Sequence, residues 1–562
     1  MQLPTASLRF PLLFACAGFL GASAAFSSLP PSHDVPFSVL APNADRVHLL
    51  GDFNGWKPSD DSLMARDPSG RWLKTIALPD GTNAYAFFAE GPSVPGDGWM
   101  LDWKSSRVFS KKRSKNHSLL VLPDDLESFL ARQAPARETE RGIEIPVFYE
   151  RISDATAALS PNRYSSDSLS SSPPPFGNWI LPKFVGNSPL FGVVSLGDLE
   201  FLAALDRLAP DDKAYNRLVF DLNRNGDLTD DEPLSGEVSF YNRQNYFSCA
   251  FPPIDLQIDV DGQTLPYCLR LRVAGSIAPD PEMAPSLSPQ IYLSALAHCV
   301  YLGEFALDGA GYRFALADAS GNGVFGDAPA VHPGSRYADG ALFAGGDVFA
   351  LAPSGQPLRS ADGVACGRHL ALGHRLFEIQ LDLPNGSMLL RPVESGIAFL
   401  APSSHVLSMS LFAPDSNGSL MAFSCDGPIP APAGNWRLLE YRMLKKDDWG
   451  DDWFLHGRGA SDVSHLPLRD GQTLPLPFGD PLKASAAVGD HSIRRTATQE
   501  IMRISMSLLG NAGERIADLR HFSGKLTQHK MSKRAQNRPE EATFRIVKPD
   551  GELVFSGSFE YG

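Results

Sequence analysis

Apolar and polar residues alternate along most of this chain, and clusters of turn residues interrupt the alternation. Between residues 32 and 122 the runs FSVLAP, RVHLLGDF, RWLKTIAL, NAYAFFAEG and HSLLVLP each read as a strand. Short strands at this spacing predict a small β-sandwich. The charged stretch LPDDLESFLARQAPARETERG, 122 to 142, carries a short helical pattern and reads as a linker over 123–142. Residues 143–480 form a long β-rich region. There, LQIDVDGQTLPY turns at Asp261-Gly262 and FEIQLDLPNGSMLLRPV at Asn385-Gly386, both hairpin signals. GDLEFLAALDRL, 197 to 208, is one of the few helical patterns, and the Ser/Pro-rich run SSDSLSSSPPPFG, 165 to 177, is expected to be a mobile loop. The last unit, 481–562, ends in a hairpin at Asp550-Gly551 with aromatic residues on its return strand, and reads as a C-terminal immunoglobulin-like sandwich. The fold class is therefore mostly β.

The N-terminus breaks this pattern. MQLPTASLRFPLLFACAGFLGASAAF has one positive charge, Arg9, then an apolar run, then small residues. This is the layout of a signal peptide over 1–24, cleaved before Ala25 after Ala22-Ser23-Ala24. Secretion, or a periplasmic or cell-surface location, is the expectation. Downstream, no apolar run of about 18 residues predicts a transmembrane helix.

Composition sharpens this picture. Gly 49 and Pro 46 favour many turns over long helices. The formal charge is −14, and loss of Arg9 with the leader takes it to −15. An acidic product is a poor match for nucleic acid, whose phosphates demand clustered Lys and Arg. Beyond Cys16, five cysteines remain: Cys249, Cys268, Cys299, Cys366 and Cys425. At least one has no partner within the chain. Cys249 and Cys268 lie on neighbouring strand-like runs, so pairing between them stays open, and no CxxC or His cluster suggests zinc.

The most specific stretch is VPFSVLAPNADRVHLLGDFNGW. With DPSGRW at 67 to 72, LPDG at 78 to 81 and YAFFAEG at 85 to 91, it resembles the early-set, immunoglobulin-like sandwich of family 48 carbohydrate-binding modules. Those modules occur in isoamylases, glycogen-branching enzymes and the β subunits of AMP-activated protein kinase. The resemblance covers about one sixth of the chain and implies that 32–122 binds α-glucan or a related polysaccharide. The family's glycogen binders use two tryptophans, a lysine and an asparagine. Trp56 in NGW matches the first tryptophan, Trp99 in GWMLDW the second, and Asn116 the asparagine. Sugar C–H faces dock on such flat rings. The lysine position is Ala86, which removes one donor, and Lys74 or Lys104 are candidate substitutes. Trp56 and Trp72 are also candidate core residues, and Trp103 a possible extension of the aromatic face.

A second motif lies in LVFDLNRNGDLTDDEPL. Counted from Asp221, it offers Asn223 at position 3, Asn225 at 5, Gly226 at the sharp turn, the Asp227 carbonyl at 7, Thr229 at 9 and Glu232 at 12. That satisfies the twelve-residue EF-hand template for Ca²⁺. RLVF before it and GEVSFY after it read as strands, so the expected role is a structural calcium clip and not a sensor. ADASGNGVFGDAP repeats part of the pattern with Asp318, Ser320, Asn322 and Gly323, but has Pro329 at position 12 and Asp327 at 10.

No GxSxG, HExxH or P-loop occurs, and 143–480 is too rich in turns for a β/α barrel of about 250 residues. LKKDDWGDDWFLHGRG, 444 to 459, is the remaining candidate for chemistry. Its Asp447, Asp448, Asp451 and Asp452 lie near Trp449, Trp453 and His456, as a sugar subsite, an ion site or a glycosidase carboxylate pair. The expected function is an exported, non-catalytic, calcium-clipped protein that binds α-glucan through its N-terminal module. A glycoside-active enzyme of unfamiliar β fold and a structural or adhesive surface protein stay open as alternatives.

Overall fold

A computed structural model describes residues 32–559, apart from 42–43, 68–70, 80, 92–98, 101–106, 110–116, 123–134, 153–155, 162–164, 176, 242–245, 261, 277–290, 337–341, 416–417, 426, 448–449, 461–464, 496–499 and 522–538. The expected signal peptide and Asn116 lie outside the described residues. Strands dominate, and among the described residues the only helical elements are single 3-10 turns.

The first eight strands are β1 (Ser32–Leu40), β2 (Arg46–Gly51), β3 (Ala65–Arg66), β4 (Arg71–Pro79), β5 (Gly81–Glu90), β6 (Trp99–Met100), β7 (Arg107–Phe109) and β8 (His117–Leu122). One sheet runs β1-β4-β3. The other runs β2-β5-β8-β7, with β6 beside β5. The alternation in each strand sends one side-chain set inward. Phe37, Val47, Leu49, Trp72, Tyr85 and Phe87 form the shared core, with Phe37 edge-on to Tyr85 at 4.8 Å between ring centroids.

This second sheet does not end with the unit. The next strands are β9 (Arg137–Thr139), β10 (Gly142–Pro146) and β11 (Phe148–Arg151). β11 pairs with β7, placing Tyr149 opposite Val108. It pairs on its other side with the strand Cys299–Leu307, so one 10-stranded sheet passes from the N-terminal unit into the body. β9 and β10 form a hairpin on the edge of a 13-stranded sheet, through Ser387–Pro392. The strands Lys483–Arg495, Glu500–Leu509 and Arg515–His521 extend its other end. The last two strands, Thr543–Val547 and Leu553–Ser558, pair only with each other.

The next five strands are β12 (Ser165–Ser168), β13 (Leu190–Leu196), β14 (Leu199–Asp206), β15 (Arg217–Phe220) and β16 (Leu234–Ser235). β13 to β16 form a four-stranded sheet in chain order. Two expectations are corrected here. The helical pattern GDLEFLAALDRL holds β14, because Phe201, Leu202, Ala203, Ala204 and Leu205 are all buried and both faces of the strand are covered. A run apolar on both faces is ambiguous between helix and buried strand. The Ser/Pro-rich run holds β12, which pairs with Ile291–Ala297. Beyond β12, Ser170 exchanges two backbone hydrogen bonds with Phe191, and the Trp179 indole N–H donates to the Pro174 carbonyl at 2.9 Å. Composition predicts looseness there, but these bonds fix the backbone.

The three hairpins expected at Asp261-Gly262, Asn385-Gly386 and Asp550-Gly551 each join an antiparallel pair. Cys249, Cys268, Cys299, Cys366 and Cys425 are buried free thiols. Cys249 lies opposite Val273 and Cys268 opposite Asp255, so Cys249 and Cys268 do not pair.

Candidate glucan-binding site and carboxylate loops

The GDFNGW segment leaves β2 as a tight loop. Asn54 anchors it twice: its Oδ1 accepts from the Gly51 N–H at 2.9 Å and its Nδ2 donates to the Leu49 carbonyl at 2.8 Å. A side chain at Gly51 would meet the Phe53 ring at 2.4 Å and the Ala84 carbonyl at 2.5 Å, so only glycine fits. Gly55 and Trp56 both turn through positive φ, 63° and 62°. The Trp56 indole N–H donates to Asp52 Oδ1 at 3.0 Å, while Asp52 Oδ2 accepts from the Ala84 N–H. Trp56 is thereby held half-buried at the rim of the unit, as an aromatic platform for a sugar ring requires.

Trp72 has a different fate. It is 5% exposed, donates its indole N–H to the Ala41 carbonyl at 2.9 Å and belongs to the core. Ala86 is also buried, with its cross-strand partner Leu50 and nearby His48. The sheet face that carries the family's lysine position is therefore closed at Ala86. Lys74 donates to the Leu63 carbonyl at 3.1 Å. Trp99 lies on β6, opposite Phe88. Asn116, Trp103 and Lys104 fall outside the described residues.

The loop that begins at Asp221 joins β15 to β16, and these two strands pair across it. Its side chains fold back on its own backbone. Asp221 Oδ2 accepts from the Gly226 N–H at 3.1 Å, Asn223 Oδ1 from Asn225 N–H at 2.9 Å, Asn225 Oδ1 from Asp227 N–H at 2.7 Å, and Asp227 Oδ1 from the Thr229 N–H and hydroxyl. Gly226 sits at φ 79°. Asp231 folds back onto the start of the loop. Its Oδ1 accepts from the Leu222 N–H at 3.2 Å, while Glu232 is exposed and has no hydrogen-bond partner among the described residues. Burial, and then the charges of Asp221, Asp230 and Asp227, push the Asp231 carboxyl up to about 6.

The second loop is more deeply placed. Asp318 is 0% exposed and accepts from the Tyr267 hydroxyl, the Ser320 hydroxyl and the Gly321 and Gly323 N–H groups. Asp347, also 0% exposed, accepts from the N–H groups of Ala319, Gly326 and Asp327. Asp327 accepts from the Asn322 amide at 2.7 Å. Burial and the neighbouring Asp318 and Asp327 raise the Asp347 carboxyl. Seven donors thus satisfy two buried carboxylates, which makes this loop a polar knot in the core. Its loop backbone at Gly321 and Asn322 also lines a cavity of about 200 Å³ with Val193, Val194, Ser195, Leu293 and Ala295.

The run 444 to 459 is a hairpin between Gly434–Lys446 and Asp452–Arg458. Asp447 Oδ1 accepts from the Asp451 N–H and Oδ2 from the Trp453 indole, each at 3.0 Å, and Asp452 pairs with Lys446. His456 meets Glu440 at 3.1 Å, and Arg442 donates to the Gly363 and Ala361 carbonyls. Asp448 and Trp449 fall outside the described residues. The carboxylates of Asp447 and Asp452 are thus engaged in holding their own turn.

Sequence reasoning passed over Asp231, Asp347 and Trp179. Asp231 stands in the TDDE run, one place before the template's last position, and its burial was the missing clue. Asp347 lies 29 residues beyond Asp318, and no spacing rule connects them.

A family model, Carbohydrate-binding module 48 (Isoamylase N-terminal domain), matches residues 20–106. The match begins at residue 20, inside the stretch expected to be a signal peptide. Among curated proteins, the chain is 46% identical over 50 residues to a 1,4-alpha-glucan branching enzyme of Cupriavidus pinatubonensis, covering 9% of this chain and 6% of the relative. It is 53% identical over 47 residues to that of Nitrosomonas eutropha, covering 8% and 6%. It is 30% identical over 114 residues to that of Rhodopseudomonas palustris strain HaA2, covering 20% and 15%. The chain thus spans 6 to 15% of the length of these relatives. Their name corrects the expectation of a non-catalytic protein, since the matched relatives are named as 1,4-alpha-glucan branching enzymes. The N-terminal unit of this chain resembles the carbohydrate-binding module 48 of the isoamylase N-terminal type.

Proposed function

We propose that this protein acts on 1,4-α-glucan and that its N-terminal module holds the glucan chain. The match of residues 20–106 to carbohydrate-binding module 48 carries this reading, and the relatives' name gives the reaction to test, glucan branching. The geometry supports docking at the rim formed by Asp52 and Trp56. There a half-buried indole offers a face for sugar C–H groups and Asp52 accepts hydrogen bonds. The closed sheet face at Ala86 is not part of the docking surface.

The test has two arms. In native gels containing glycogen, the protein is expected to run late, and the Trp56→Ala variant to run nearly unretarded. Incubation with amylose is expected to lower the iodine colour. A branch made by transfer breaks one glycosidic bond and forms another, so reducing ends stay constant, whereas hydrolysis releases them. Unretarded migration overturns the docking half, and unchanged amylose overturns the reaction half. Export belongs to the same proposal, supported by the Arg9, apolar, Ala-Ser-Ala order. Intact mass of the mature protein is expected to begin at Ala25, and a product that begins at Met1 overturns it.

A further inference from the structure

The outer face of the four-stranded sheet β13 to β16 is covered by the segment 177–189. Trp179, Leu181 and Phe184 pack on the buried Phe191, Leu202, Ala204, Val219 and Leu228. One end of the segment is tied to Asp206, whose two oxygens accept from the Val185 and Gly186 N–H groups at 2.7 and 2.9 Å. Its middle is tied to the loop that follows β15. Ile180 N–H donates to the Gly226 carbonyl at 2.8 Å, and Leu228 N–H donates to the Ile180 carbonyl at 2.9 Å. Whatever fixes this loop therefore also fixes the cover.

Two buried carboxylate oxygens in the loop are left over. Asp221 is 2% exposed, yet its Oδ1 has no hydrogen-bond partner among the described residues, and neither has Asp231 Oδ2. An ionised oxygen removed from water without a partner is costly. Around Asp318 and Asp347, by contrast, the fold supplies seven donors to two buried carboxylates. Here the nearby side chains add negative charge. Asp230 already accepts both the Asn223 and Asn225 amide N–H groups. A hard cation that prefers six to eight oxygen ligands answers this arrangement.

We propose that Asp221 and Asp231, with the side-chain oxygens of Asn223 and Asn225, bind one Ca²⁺, and that occupancy locks residues 178–181 onto the four-stranded sheet. Asp231, and not Glu232, supplies the closing carboxylate. The cation bridges acids on both sides of Gly226 and Leu228, the two residues whose backbone grips Ile180.

Calcium chloride titrated into the chelator-treated full-length protein is expected to give saturable heat. It is expected to raise the melting temperature and to slow amide exchange in peptides that cover 178–184. Asp231→Asn should weaken binding by at least about tenfold, because site charge sets affinity in such loops, whereas Glu232→Gln should stay within about threefold of the unmutated protein. Terbium is expected to luminesce through Trp179, whose ring lies beside Gly226. Trp179→Phe should lower that emission and keep the calcium-induced rise in melting temperature. Absence of both heat and a melting shift overturns the site. Loss of binding in Glu232→Gln, with Asp231→Asn intact, overturns the donor set. Calcium binding without slower exchange at 178–184 overturns the lock. Glycogen retardation is independent of each outcome, so this inference and the proposed function fail separately.

Discussion

At the scale of single residues, two tryptophans that look alike in a sequence meet different fates. Trp56 and Trp72 both flank turns, but the loop holds Trp56 half-buried at the rim while the Ala41 carbonyl draws Trp72 into the core. Trp56→Ala should leave the melting temperature within a few degrees and weaken glycogen retardation by about tenfold, on the order of 1.4 kcal/mol. Trp56→Gly should do the same with less backbone strain, because position 56 sits at φ 62°. Ala86 looks like a place to restore the family's lysine. It is 1% exposed, so Ala86→Lys should destabilise the protein by on the order of 3 kcal/mol in urea unfolding and add no binding. His298 gives a pH prediction. Burial, and then the charges of Arg270 and Arg151, lower its pKa from 6.5 to about 4. The folded protein therefore binds fewer protons at this site than the unfolded chain. The stability carried by neutral His298 is complete above about pH 6.5 and is lost as pH falls toward 4. Urea midpoints measured across that range should fall with acidification, and His298→Gln should flatten part of the slope.

At the scale of elements, buried acids act as joints. Glu514 precedes the strand Arg515–His521 and is 0% exposed. Its carboxylate accepts from the Tyr441 hydroxyl at 2.8 Å, the Gly479 N–H at 2.7 Å and the Ala512 N–H at 3.1 Å. Glu514→Ala strands three donors, and since each unmet buried donor costs about 1–3 kcal/mol, a loss of at least about 3 kcal/mol should appear in denaturant unfolding. Glu514→Gln keeps one acceptor oxygen and should lose less. These joints mark the limit of what the chain makes legible. Alternation and turn residues announce the strands and hairpins, because both are local. The module's landmarks from Ala41 to Gly91 are legible for the same reason. The Asp318 to Asp347 knot, the β7 to β11 pairing and the burial of Ala86 depend on partners distant in sequence. The strand β14 misleads because cover on both faces erases its alternation.

At the scale of the whole molecule, the question is whether the module behaves as an appendage or as part of the body. The β7 to β11 pairing makes the module's second sheet continuous with the strands of Cys299–Leu307 and Ala310–Ala317. If the module were removed, β11 would present an unpaired edge, which invites association with other chains. Continuity also predicts coupled unfolding. A ligand that binds only the folded state adds about 2.7 kcal/mol at one hundred times its dissociation constant. Glucan bound at the module rim should therefore raise one shared transition in calorimetry, with intrinsic fluorescence and far-ultraviolet dichroism moving together. The ligand to use is a linear maltooligosaccharide, with Trp56→Ala as the control that should show about half the shift at the same ligand concentration. A module that unfolds by itself gives a different trace, two transitions with only the smaller one moved by glucan. That trace would show that the shared strand pair carries little energy and that the glucan is held by an independent domain.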